Sequence, residues 1–250
     1  MTGMSVPVVT PQSLTGYGDR VGCVFEKNDA GKAHGGIYVL PTPGYFSPMD
    51  LITRTVHRQT SLTETIRELD VCNLRHGPWV AGGAARAVFE GTIGRAGGDI
   101  DIFLGESGQE KRTLAHIGKK TTVTSRTKNK QSTTTLLTKI SLYGKDTPAK
   151  IQVIPEWPGG NTVESLLQSF DFTVCQFVTD GRILIYTDAA AYDVERRVLR
   201  FQPQWTGRTR PVRLIKYLNQ GFTPDGPMLE TAYRLDERQI SETVVFDNGY

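Results

Sequence analysis

Residues 80–104, VAGGAARAVFEGTIGRAGGDIDIFL, constrain what this chain can fold into more than any other stretch of it. An apolar lead-in runs into Gly82 and Gly83, a helix-compatible segment begins near Ala84, and Asp99 and Asp101 then alternate with Ile100, Ile102 and Phe103. Alternation with a period of two on a β-rich run predicts a strand that shows both carboxylates on one face and buries Ile100 and Ile102 on the other. Two like charges held that close are costly unless a cation neutralises them. Hard divalent ions such as Mg²⁺ or Mn²⁺ prefer carboxylate oxygens and keep positions open for phosphate, so the pair suits metal-assisted phosphoryl chemistry. The two glycines supply a complementary half: without Cβ atoms the backbone can pass close to a triphosphate, and a helix starting there offers it free N–H groups.

The order GG, spacer, DhDhF resembles the signature of the DNA polymerase β-type nucleotidyltransferase superfamily. GGAAR at 82–86 is similar to the GGxxR turn of its CCA-adding and bacterial poly(A) polymerase branch, with Ala87 where an acidic residue usually follows the arginine. FDFTVCQ at 170–176 resembles that branch's RRDFTINA segment, with Asp171, Phe172 and Thr173 matching and both arginines missing. TDG at 179–181, YDVERRVLRF at 192–201 and RPVRLIKYLNQGF at 210–222 follow its order of a turn, a DLxxxxLR-like segment and an RxLRxxxxxGF-like helix.

The resemblance implies an α/β (α+β) fold, a polymerase β-like nucleotidyltransferase head with a mixed sheet flanked by helices and a short helical C-terminal part. The corresponding division is a β-rich or irregular extension over 1–55, the core over 56–190 and a helical, neck-like part over 191–250. It also implies Mg²⁺-dependent transfer of a nucleoside monophosphate from an NTP to a hydroxyl acceptor. An RNA 3′ end, of tRNA or another RNA, is the foremost acceptor, with a protein side chain or a small molecule as alternatives. Asp99 and Asp101 would hold two Mg²⁺ ions, Gly82 and Gly83 would cradle the β and γ phosphates, and Arg86 would fall among the nucleotide-binding residues. By spacing alone, Arg86 is instead a surface helix residue paired at i,i+4 with Glu90.

Enzymes of this type usually need a third acid, and its natural place is the strand over 149–155, which carries Gln152 instead. A neutral amide neither takes a proton nor binds Mg²⁺ well. Asp171 is assigned the third catalytic place, with Glu156 as the other candidate. If neither reaches the site, the domain binds nucleotide without turning it over.

The net charge of +3 hides a segregation, because residues 110–150 hold ten basic side chains against Glu110 and Asp146. The Thr-, Lys- and Ser-rich part of this segment reads as a flexible loop, and Lys119, Lys120, Arg126, Lys128 and Lys130 as its phosphate- or nucleic-acid-binding residues. The bland reading is a solvated polar loop. No aromatic residue interleaves these lysines, so base stacking is not indicated there.

With 250 residues and 38% hydrophobic content, the chain can build one large core. Three widely spaced cysteines and four histidines without metal-ligand spacing argue against a disulfide framework or a zinc site and fit a reducing cytoplasm. No 18-residue apolar run and no basic, apolar leader is present, so neither a membrane span nor a secretory signal is expected. Only about sixty residues follow position 190, too few for a full tRNA-gripping body. A compact relative is therefore expected, of viral or mobile-element origin or acting on a smaller target.

Locally, the pattern predicts short strands at 21–26 and 37–40 and a helix from Ser61 capped by Ser61 and Glu64. A strand at 79–81, a hairpin of 136–142 with 151–154 about the turn YGKDTP, and a helix over 161–169 follow. A second hairpin of 170–178 with 183–186 and a helix with the stripe Val212, Leu214, Ile215 and Leu218 complete the series. The terminal segment 235–250 reads as a polar helix or an extended end. Two rivals stay open: a nucleotide- or RNA-binding module that has lost turnover, and an assembly protein that packages nucleic acid.

Overall fold

One sheet organises the molecule, and its two faces have different occupants. The computed structural model describes residues 21–27, 33–39, 50–91, 99–106, 108–130, 133–155, 161–202, 208–209 and 211–226. Most of the turn-rich stretch 41–50, the spacer 92–98, Glu156 and the terminal segment 235–250 lie outside the described residues.

In chain order the elements begin with β1 (Val21–Lys27), β2 (Ala33–Val39), β3 (Leu51–Thr55) and α1 (Ser61–Leu69). Next come β4 (Trp79–Ala81), α2 (Gly83–Glu90), β5 (Asp99–Phe103) and α3 (Gln109–Lys120). After them run β6 (Thr122–Lys128), β7 (Thr134–Leu142), β8 (Lys145–Ile154) and α4 (Val163–Gln168). A 3₁₀ turn at Thr173–Cys175 precedes β9 (Phe177–Thr179), β10 (Ile183–Thr187) and α5 (Asp188–Arg196). The described chain closes with β11 (Val198–Leu199), β12 (Arg208–Thr209), α6 (Pro211–Asn219) and β13 (Thr223–Pro224).

Among the described residues the main sheet has eight strands in the order β3-β10-β9-β4-β5-β8-β7-β6. Only β5 and β8 run parallel, so the sheet is mixed, and helices flank it as expected. β3, inside the expected extension 1–55, pairs with β10 in this sheet. β1 and β2 form a separate hairpin that β12 extends, joining the N-terminal segment to the C-terminal part.

Register explains the buried face. Val80, Ile102, Val153 and Thr134 align across β4, β5, β8 and β7, as do Ile100, Ile151 and Leu136, and all seven are buried. Opposed residues share a face, so these side chains, all apolar but Thr134, form one layer against Ile66 and Leu69 of α1, Ala84, Ala85 and Val88 of α2 and Ile117 of α3. Each large apolar side chain contributes roughly 1.5–3 kcal/mol on burial.

Several local expectations shift. The first helix covers the expected stretch, yet its cap is Thr60, whose hydroxyl accepts from the Thr63 amide at 3.2 Å, not Ser61 with Glu64. The β7–β8 turn is only Tyr143 and Gly144, at φ 50° and 72°, and Lys145 onward is strand. Positive φ at both central residues matches the right-handed twist of a two-residue hairpin. In α6 the buried residues are Leu214 and Tyr217, because the helix turns Val212, Ile215 and Leu218 partly outward. The lysine-rich segment is not a loop: α3, β6 and β7 occupy it, and the β-branched threonines fit the pleated surface of a fully exposed edge strand.

Candidate active site

β5 presents its residues as alternation requires: Ile100 and Ile102 are buried, while Asp99 and Asp101 are partly exposed on the opposite face. β4 runs antiparallel beside it with Trp79 opposite Phe103 and Val80 opposite Ile102. Continuing that register carries the chain leaving β4 past Asp101 and Ile100 as it reaches Gly82. Gly82 turns there at φ 68°, ψ −130°, a conformation open to glycine alone, and gives its amide to the Phe177 carbonyl at 3.0 Å. α2 starts at Gly83 with no side-chain cap and no acidic residue in its first turn, so its leading amides have no intrahelical acceptor. A positive helix end and two carboxylates thus share one corner of the sheet.

The parallel partner β8 sets Lys150 across from Asp99 and Gln152 across from Asp101. Lys150 Nζ lies 3.1 Å from Asp99 Oδ1, and Gln152 Nε2 donates to Asp99 Oδ2 at 2.9 Å. Asp101 makes no hydrogen bond or ion pair among the described residues. Burial, and then the neighbouring Asp99, push its carboxyl up to about 6, while Lys216, Arg213 and Lys150 draw it partly back. The donor chemistry, two hard carboxylates beside free helix amides, fits a magnesium-bound triphosphate. Among the described residues, no three His, Cys, Asp or Glu side chains gather as a metal-holding group.

Asp171, assigned the third catalytic place, is engaged by other partners. Arg213 of α6 grips it with Nε to Oδ2 at 2.7 Å and Nη2 to Oδ1 at 2.8 Å. Thr209 Oγ1 donates to Oδ2 at 3.1 Å and the Phe172 amide to Oδ1 at 3.0 Å. A carboxylate with both oxygens so engaged anchors the arginine, whose charge also favours the ionised form of Asp101.

Arg86 is buried rather than at the surface. Its Nη2 donates to Gln220 Oε1 at 2.6 Å, its Nε lies 3.7 Å from Glu90, and its guanidinium packs over the rings of Tyr217 and Phe222. It clasps α2 to the end of α6, so the i,i+4 pairing with Glu90 is present in a packed setting.

The basic residues divide by face. Arg126 opposes Leu136 and Lys128 opposes Thr134, which puts both on the α3 side of the sheet, where Lys128 pairs with Glu110 at 3.0 Å. The face of Asp99 carries Lys150 and Leu137 instead. Lys119 and Lys120 end α3, where they complement the helix dipole, and Lys130 is exposed beyond β6. Sequence reasoning counted Lys150 only within the basic segment 110–150 and did not single out Lys216 or Arg213. The alternation of KIQVI carried a signal for the first, because Lys150 and Gln152 fall on one face two residues apart.

A family model described as Gabija anti-defense 2 family protein matches residues 53–197, from within β3 to just beyond α5. No curated protein matches the chain. Among solved structures, a tRNA-processing enzyme in its apo form I is similar at a TM-score of 0.49 and 16% identity. The match covers 71% of this chain and 47% of that one, so the chain spans about half of that enzyme's length.

Proposed function

The chain belongs to the Gabija anti-defense 2 family, and from that premise we propose that it acts as a Mg²⁺-dependent nucleotidyltransferase, moving a nucleoside monophosphate from an NTP to a hydroxyl acceptor. The observation that carries this reading is the shared corner: Asp99 and Asp101 side by side on β5, next to the Gly82 turn and the uncapped start of α2. The order of sequence motifs favours an RNA 3′ end as acceptor. The family's description favours a hydroxyl on a component of the Gabija system.

In this reading the acidic pair Asp99 and Asp101 forms the cation end of the site, where a divalent ion would supply charge neutralisation at the phosphates and at the attacking hydroxyl. Amides at Gly83 and the first turn of α2 receive phosphate oxygens. Lys150 from β8 and Arg213 and Lys216 from α6 surround Asp101 with positive charge that the triphosphate would meet. Arg213 is fixed for this by its two bonds to Asp171.

A second reading, nucleotide binding without turnover, is favoured by one observation: the acid expected on β8 is Gln152, and its amide is given to Asp99. Incubating the protein with α-³²P-labelled NTPs, Mg²⁺ or Mn²⁺, and either total RNA or purified Gabija components separates the two. The transferase reading expects label on RNA or protein that Asp99→Asn and Asp101→Asn abolish. Nucleotide bound but no pyrophosphate released with any acceptor supports the second reading, and no nucleotide binding at all refutes both.

A further inference from the structure

Resting on the nucleotide-binding reading, we infer that this site takes one divalent cation, at Asp101, and that the Lys150 ammonium does beside Asp99 the work of a second. The argument starts from Asp99. One of its oxygens faces Lys150 Nζ at 3.1 Å and the other accepts from Gln152 Nε2 at 2.9 Å. Neither partner is a wandering surface group. Both stand on β8, whose parallel register with β5 sets Lys150 opposite Asp99 and Gln152 opposite Asp101. The sheet itself therefore delivers the ammonium and the amide to that carboxylate.

Mg²⁺ demands near-octahedral oxygen donors and sheds its water reluctantly, so a carboxylate already satisfied by an ammonium and an amide is a poor ligand for it. Asp101 differs: it makes no hydrogen bond or ion pair among the described residues, and the β4 register runs on from it toward the Gly82 turn. The site is thus asymmetric, with one carboxylate kept for an ion that arrives with the triphosphate and one neutralised from within. An ammonium neutralises phosphate charge, yet it does not acidify a hydroxyl as a coordinated metal does.

The test counts Mn²⁺ by electron paramagnetic resonance in equilibrium dialysis with an α,β-methylene NTP analogue, expressed per bound nucleotide. The wild type is expected to bind one Mn²⁺. Gln152→Glu, isosteric at a half-buried position of β8, removes the amide donor and adds a carboxylate, and is expected to bind two. Lys150→Met, which frees Asp99 without adding charge, is expected to reach two at higher Mn²⁺. Two Mn²⁺ in the wild type, or one in both variants, overturns the inference while leaving the nucleotide-binding reading standing. No nucleotide-dependent Mn²⁺ in the wild type overturns that reading itself.

Discussion

Gln152 stands across from Asp101 on the adjacent parallel strand, yet it gives its amide to Asp99, 2.9 Å away. That diagonal bond splits the two aspartates into unlike groups. Asp99 is held by neighbours, while Asp101 carries a charge that burial and Asp99 make costly.

The pH dependence of stability follows from Asp101. Its carboxyl is raised from 3.8 to about 6, so between those values the folded chain binds a proton that the unfolded chain has released. Stability therefore falls as pH rises through this window, and the cost is fully present above about 6. Asp101→Asn is expected to stabilise the protein by on the order of 2 kcal/mol at pH 7.5, and by progressively less as the pH is lowered below 6. Urea denaturation of both proteins across that range checks the sign.

Arg213 and Asp171 form a pair that ties α6 to the segment just before the 3₁₀ turn. Arg213→Ala leaves a buried carboxylate without its cation and is expected to cost about 2 kcal/mol, a figure reduced because the arginine is 37% exposed. Arg213→Lys keeps the charge and loses the two-pronged geometry, so it should fall between. Thermal and urea unfolding of the two variants give the order.

The cap of α1 offers a sharp contrast between adjacent residues. Thr60→Ala removes the acceptor for the Thr63 amide and is expected to cost about 1 kcal/mol. Ser61→Ala, at an exposed first helical position, should change stability by less than about 0.5 kcal/mol. The reverse order would move the cap back to the position that the sequence pattern suggests.

The two glycines should also part company. Gly82→Ala forces a side chain into φ 68°, ψ −130° and is expected to destabilise by about 1–3 kcal/mol. A Cβ on Gly83 meets nothing within 4 Å, so Gly83→Ala should leave stability nearly unchanged. If the amides of this turn receive phosphate, Gly83→Ala weakens nucleotide affinity all the same, measurable by calorimetric titration at constant Mg²⁺.

The strand of Asp99, the turn at Gly82 and helix α2 were legible because each rests on a local rule: alternation, glycine conformation and helix start. The mixed sheet was what the family resemblance implied. What the sequence concealed lies in contacts distant along the chain. Asp171 and Arg213 are 42 residues apart, and Lys150 reaches Asp99 only through a parallel register that no local pattern sets. The threonine-rich segment misled for a different reason. Its polarity suggested a loop, whereas an edge strand is polar on both faces because both meet water. Arg126 and Lys128 look adjacent to the aspartates in sequence order, and only the register reveals that they lie on the far side of the sheet.

Equilibrium binding of a labelled NTP, with and without Mg²⁺, to the wild type and to Asp101→Asn tests the central claim most directly. The account predicts that wild-type binding depends on the metal and weakens at least about tenfold in a variant that is folded and more stable at pH 7.5. Binding that ignores Mg²⁺ and is equally tight in Asp101→Asn would contradict it.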